Sequence, residues 1–207
     1  MGTEAPAARI VLGLGNPGPR YEPTRHNVGF LVLNELRRRR DFGGAKEKFH
    51  CRCWTARVGG APVTLAAPQT FMNASGTAAA ELAAFYKVEP AGMLVVLDDM
   101  ALPVGRVRAR PGGSAGGHHG LDDVIAHLGT DRVPRLRIGI GPPPARMDAI
   151  DYVLGVFDES ERPLVARAIA LAADAVEDWI AHGIETVMNR YNQVNLTAGQ
   201  EEDGRCI

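Results

Sequence analysis

The sequence predicts an α/β domain built on a twisted, mixed β-sheet flanked by helices on both faces. Short apolar runs at residues 10–14, 93–97 and 135–140 read as buried strands, and stretches with helical periodicity alternate with them. Turn residues punctuate the alternation, most clearly Gly59-Gly60 between two strand-like runs. With 207 residues, 45% of them hydrophobic, the chain suits one domain with a real core.

Residues 10–14 form the first strand and run into a glycine loop, Gly13-Leu14-Gly15-Asn16-Pro17-Gly18. Regular structure resumes at His26, and residues 28–40 carry helical periodicity. Residues 49–58 and 62–67 flank Gly59-Gly60 as a hairpin, because glycine takes positive φ at both central turn positions. Asn73 reads as the N-cap of an alanine-rich helix over 74–86. Residues 93–97 are a central strand ended by Asp98-Asp99, and 104–109 are a further strand. Pro111 with Gly112, Gly113, Gly116 and Gly117 predicts a mobile loop, followed by a helix over 119–128 and a strand over 135–140. Asp158 is the expected cap of a long helix over 161–181, whose Leu164, Ile169, Ala172, Val176 and Ile180 form one apolar stripe. Gly183 breaks it, and 184–191 form a short last helix. Residues 1–7 and about 193–207 read as disordered, and no repeat or second domain is visible within 1–207.

Composition narrows the function. A net charge of −1 excludes a wholly basic nucleic-acid binder but permits a local basic face. Arg106, Arg108 and Arg110 alternate, so they share one side of a strand, and Arg132, Arg135 and Arg137 form a second cluster. Phosphate contacts or a solvated strand edge both fit them. No run is long and apolar enough to cross a bilayer, no basic-then-hydrophobic leader opens the chain, and Pro6 stands where a myristoylated terminus wants Ser or Thr. Three cysteines, an odd count without framework spacing, point to a reducing compartment, hence a cytoplasmic protein. Cys51-x-Cys53 after His50 lacks a second ligand pair, so no metal is expected, and no cofactor.

Two familiar patterns fail on physical grounds. Gly13-x-Gly15-x-x-Gly18 matches the dinucleotide fingerprint, but Pro17, Pro19 and Pro23 interrupt the helix that must follow, each at about 3 kcal/mol in a helix interior. Gly112-Gly113-Ser114-Ala115-Gly116 matches a serine-hydrolase elbow, but Pro111 and an arginine-rich strand precede it and Gly116-Gly117 follow it.

The chemistry-bearing residues fall at strand ends and helix starts: Asn16, His26, Asn73, Asp98, His118 and His119. In open α/β sheets such ends converge on one crevice. An imidazole paired with a buried carboxylate is a general base of fixed tautomer, and nearby asparagine amides orient water or stabilise an oxyanion. The implied reaction is attack by water on an acyl carbon.

Taken together, the motifs resemble the bacterial peptidyl-tRNA hydrolase family from about residue 10 to residue 191. The resemblance rests on the 13–18 loop, Tyr21, Thr24-Arg25-His26-Asn27, Gln69-Thr70-Phe71-Met72-Asn73-Ala74-Ser75-Gly76, Asp98-Asp99, the glycine-rich 112–121 segment and Arg135-Leu136-Arg137-Ile138-Gly139-Ile140-Gly141. It implies a monomeric, metal-free cytoplasmic esterase that cleaves the bond joining a peptide to tRNA, so that tRNA is recycled. By that resemblance His26 activates water, Asp98 holds and polarises His26, and Asn16 favours N-blocked over free aminoacyl-tRNA. Tyr21, Phe71 and Asn73 match positions that contact the peptidyl-tRNA end, and Arg110 and Arg137 fall where the family meets tRNA phosphate. His119 stands where the family usually has asparagine, and it takes over a substrate contact with a bulkier ring that can become charged. The alternatives are a non-catalytic relative recruited to RNA splicing, against which the intact Asn16, His26 and Asp98 argue, and an unrelated esterase using Ser114.

Overall fold

The computed structural model describes residues 6–196. Among them are seven strands: β1 (Arg9–Gly13), β2 (Lys46–Lys48), β3 (Cys51–Val58), β4 (Ala61–Pro68), β5 (Met93–Asp99), β6 (Val107–Arg110) and β7 (Arg135–Gly139). They form one mixed sheet in the order β2-β3-β4-β1-β5-β7-β6. β4, β1, β5 and β7 run parallel, whereas the β2–β3, β3–β4 and β6–β7 pairs are antiparallel. The helices are α1 (Val28–Arg39), α2 (Ser75–Tyr86), α3 (His119–Leu128), α4 (Ala149–Val153), α5 (Arg162–His182) and α6 (Ile184–Tyr191).

Strand alternation divides the core in two. Val11, Leu94, Val96, Leu136 and Ile138 face α1, α4, α5 and α6, while Ile10, Leu12, Met93, Val95 and Leu97 face α2 and α3. Every residue of β1's Ile10–Gly13 stretch and of β5 is buried, as expected for parallel strands covered on both faces. The α/β class, the mixed sheet and the helices on both faces are as predicted.

One glycine matters for placing the site. A β-carbon on Gly29 would collide with backbone atoms of Leu14 and Val96. Glycine therefore lets the first turn of α1 lie directly on the ends of β1 and β5, and this brings His26, three residues upstream, to the same sheet edge.

The elements differ from expectation where tertiary contacts compete with local signals. Residues 104–106 are not strand, because Arg106 N–H closes a turn onto Pro103 O and β6 starts only at Val107. Strand β2 is Lys-Glu-Lys, wholly exposed, and has no apolar alternation to announce it; its pairing comes from β3. Helix α4 follows the proline run unannounced, with Asp148 accepting from Ile150 N–H as its cap.

Asn73 is not a helix cap. It sits within a 3-10 turn, Met72–Ala74, and the α2 terminus is satisfied instead by Asp123 of α3, which accepts from Gly76 N–H at 2.6 Å. Asp158 likewise makes no side-chain cap on α5; its carbonyl accepts from the N–H groups of Glu161 and Arg162, and the Glu161 carboxylate accepts from Asp158 N–H at 2.8 Å. Of the tail expected to be disordered, residues 193–196 are described: Arg106 donates to the carbonyls of Asn192 and Val194, and Asn195 bridges to Arg106. Residues 1–5 and 197–207 lie outside the described residues.

Candidate active site

The carboxyl ends of β1 and β5 hold the centre. Asp98, at the end of β5, is buried, and its Oδ1 is shared by two imidazoles: His26 Nδ1 at 2.8 Å and His118 Nε2 at 3.0 Å. The pattern of partners assigns the protons. His118 caps α3, and its Nδ1 accepts from Leu121 N–H, so its Nε2 must carry the hydrogen given to Asp98. His26 donates from Nδ1 to the same oxygen, which leaves its Nε2 lone pair without a partner among the described residues.

Burial alone would push the Asp98 carboxyl up, but the His118 and His26 N–H groups outweigh burial and hold it well below the usual carboxylate range. Asp98 is therefore an anion at every pH near neutral. His26, Asp98 and His118 also bring three potential ligand atoms within 4.8 Å of one another. With both rings giving protons to Asp98, the three side chains form a hydrogen-bond chain.

Asn16 is fixed just as firmly. Its N–H donates to Asn27 Oδ1 (2.8 Å), its carbonyl accepts from Asn27 Nδ2 (3.0 Å), and its Oδ1 accepts from Met72 N–H (2.8 Å). Because Oδ1 meets a backbone donor, the amide orientation is determined, and Nδ2 is the end left unspent among the described residues. Arg25 holds the turn that carries His26: it is buried, bidentate to Glu161 at 2.7 and 3.1 Å, and lies between the rings of Tyr152 and Phe157.

Two connected recesses open from this centre. One, of about 260 Å³, is lined by His26, Asp98, His118, Gly116 and Arg137; the other, of about 400 Å³, by Asn16, His26, Phe71, Met72 and Asn73. His119, Ile150 and Val153 line both, so the recesses form one groove. Tyr21 meets Phe71 edge-on with ring centroids 6.5 Å apart, and Phe71 and Ile150 leave large apolar surface at the rim, 62% and 61% exposed. Thus His26, Asp98, Asn16, Phe71, Asn73, His119 and Arg137 converge on the groove, with Tyr21 behind Phe71.

Arg110 does not reach the groove. It lies exposed on the outer strand β6, paired in register with Arg135, while Arg108 pairs with Arg137; Val107 and Ala109 alternate into the core. Arg108 and Arg110 do share a side of β6, but Arg106 lies before the strand and is spent on the chain near Val194.

Arg135 departs from the phosphate-contact reading altogether. It is buried, and it donates to the carbonyls of Val133, Gly113, Ser114 and Asp131, so the glycine loop expected to be mobile is tied to β7. Arg137, two residues on, faces Asp99 Oδ2 with its Nε at 2.9 Å, an ion pair without hydrogen-bond alignment. Ser114 is exposed in that loop, with β6 ending at Arg110 and α3 starting at His119, so the strand–serine–helix elbow is not formed. His118 was a candidate by its place at a helix start, but Arg25 and Asn27 had no predicted role of their own. The signal for both is their adjacency to His26, and their roles come from partners distant in sequence, Glu161 for Arg25 and Asn16 for Asn27.

A family model described as peptidyl-tRNA hydrolase matches residues 10–199. The chain belongs to the peptidyl-tRNA hydrolase family. A peptidyl-tRNA hydrolase of Rhodopirellula baltica is 46% identical over 189 residues, covering 91% of this chain and all of the relative. That of a Synechococcus strain is 42% identical over 97% of this chain and 89% of its own length. The crystal structure of peptidyl-tRNA hydrolase from Acinetobacter baumannii superposes with a TM-score of 0.86 at 32% identity, covering 95% of this chain and all of that one. The chain is thus an enzyme of the peptidyl-tRNA hydrolase type, and no helix among the described residues is long and apolar enough to cross a membrane.

Proposed function

We propose that this enzyme hydrolyses the ester between the peptide carbonyl and the terminal ribose of N-blocked aminoacyl-tRNA and peptidyl-tRNA, with His26 as general base. The observation that carries the reading is the His26–Asp98–His118 chain, which leaves one lone pair, on His26 Nε2, facing the groove. Water loses a proton to His26 Nε2 as its oxygen bonds to the ester carbon. Asp98 stabilises the resulting imidazolium, and Asn16 Nδ2 is the donor available to the carbonyl oxygen as it gains charge. Collapse of the tetrahedral species breaks the bond to the ribose oxygen, which takes the proton back from His26.

On the same reading, Phe71, Asn73, Tyr21 and His119 receive the aminoacyl end, and Arg110 and Arg137 meet tRNA phosphate, which makes binding salt-dependent. The enzyme acts as a cytoplasmic monomer without metal or cofactor.

The test compares release of N-acetylated and free aminoacyl groups from tRNA by wild type and Asn16→Asp. The aspartate still accepts from Met72 N–H but loses the Nδ2 donor. Wild type is expected to cleave only the blocked form, and the variant to lose roughly 10²-fold, the cost of one oxyanion donor. Equal cleavage of both substrates, or of neither, overturns the proposal.

A further inference from the structure

A third recess, of about 280 Å³, adjoins the groove at Asn16, which lines both. Its place in the sheet is informative. Arg137 belongs to β7, the His26–Asp98 centre to the ends of β5 and β1, and the third recess to β4 and β3, where Ala67 and Trp54 line it. The three sites therefore follow one another across the sheet. If tRNA phosphate occupies the arginine side, the acyl group leaves the ester toward β4 and β3.

The lining chemistry is specific. Trp54 is 5% exposed, and its Nε1 is buried with no hydrogen-bond partner among the described residues, a rare condition for a native indole. Arg37 lies over the Trp54 ring at 4.1 Å, gives one N–H to Asn34 Oδ1 at 3.2 Å, and has no carboxylate partner among the described residues. Arg52 also lines the recess, with its Nε on Glu47. Gln69 spends its amide N–H groups on the carbonyls of Ala67 and Pro68. Glu22 is the one acidic side chain among the lining residues. The recess is thus lined by Phe30 and the edge of Trp54, with guanidinium donors of Arg37 and Arg52 left unspent among the described residues.

We infer that this recess is a distal peptide subsite that takes an oxygen-tipped side chain, carboxylate or carboxamide, from a residue upstream of the esterified one. The inference rests on the esterase reading above, which fixes the direction of the peptide. Phe30 receives the stem of that side chain, and Arg37, stacked over the Trp54 ring, receives its tip.

Peptidyl-tRNAs bearing acetyl-X-Ala-Ala or acetyl-Ala-X-Ala, with X as Glu, Leu or Lys, test the subsite. At one of the two positions the glutamate substrate should show a KM about twofold to fivefold below that of the lysine substrate, the range of a solvent-accessible charge contact, with kcat alike. Arg37→Ala should bring that ratio to about one. Equal KM values at both positions in wild type, or a ratio that Arg37→Ala leaves intact, overturn the subsite. In the His26→Ala enzyme, the acetyl-Ala-Glu-Ala and acetyl-Glu-Ala-Ala substrates should perturb tryptophan emission, and Trp54→Phe should abolish the response; a response surviving that change also overturns it. Cleavage of acetyl-Ala-tRNA is the separate control: its failure removes the esterase reading itself, whatever the X-dependence shows.

Discussion

The centre of the groove and its rim are built on opposite plans. At the centre every polar group is tied to another element: Asp98 to two histidines, Asn16 to Asn27 and Met72, Arg25 to Glu161. At the rim, Asn73 and His119 are exposed, and Phe71 and Ile150 present bare apolar surface. Fixed dipoles and a fixed lone pair lower a barrier because nothing has to reorganise as charge develops.

Removing the lone pair at the centre has the largest expected effect. His26→Ala should lower turnover by about 10²–10⁴-fold while tRNA binding, measured by filter retention, persists. Near-normal turnover would remove His26 from the mechanism and erase the contrast with the rim.

The next test concerns how the centre is supported. Arg135→Met removes donors from four carbonyls and frees the loop that leads to His118, and it should cost about 3 kcal/mol of stability in urea titration. A cost below about 1 kcal/mol, within the usual range of exposed pairs, would show that Arg135 does not anchor the loop.

Arg137→Ala sharpens the comparison from the outer side, because this arginine lines the groove beside Gly116 rather than holding the loop. Its loss should weaken tRNA binding uniformly across sequences and reduce the slope of log affinity against log salt by about one. An unchanged slope would mean that it stays paired with Asp99 when tRNA binds.

The smallest effect belongs to the rim. Asn73→Ala should change stability by less than about 0.5 kcal/mol, because Asn73 caps nothing, whereas loss of a true cap costs about 1 kcal/mol. A melting temperature lowered by several degrees would restore the cap that the sequence suggested.

How much was legible depended on whether the signal is local. The buried strands were legible because parallel strands covered on both faces are continuous apolar runs, and β1 and β5 are such runs. His26, Asp98 and Asn16 were legible as candidates because each sits where a strand ends or a helix begins. Strand β2 was not, since an exposed Lys-Glu-Lys segment becomes strand only when β3 lies beside it. Asn73 misled because a good N-cap residue before an alanine-rich helix is a correct local inference, defeated here by a carboxylate from α3.

Arg135 and Arg137 show the limit best. They share a strand, a residue type and a face, and nothing in their spacing separates them. Only the path of the glycine loop, which lays its carbonyls against one guanidinium and leaves the other on the groove, separates the two. By itself, the chain's pattern of apolar runs, turn residues and motifs determined the α/β class, the buried strands and longer helices in their order, and the family. Tertiary structure alone decided which proton sits on which imidazole nitrogen, which amide end faces the groove and which arginine is spent. Hydrogen-bond partners decide those matters, and they come from segments that meet only after the sheet has formed.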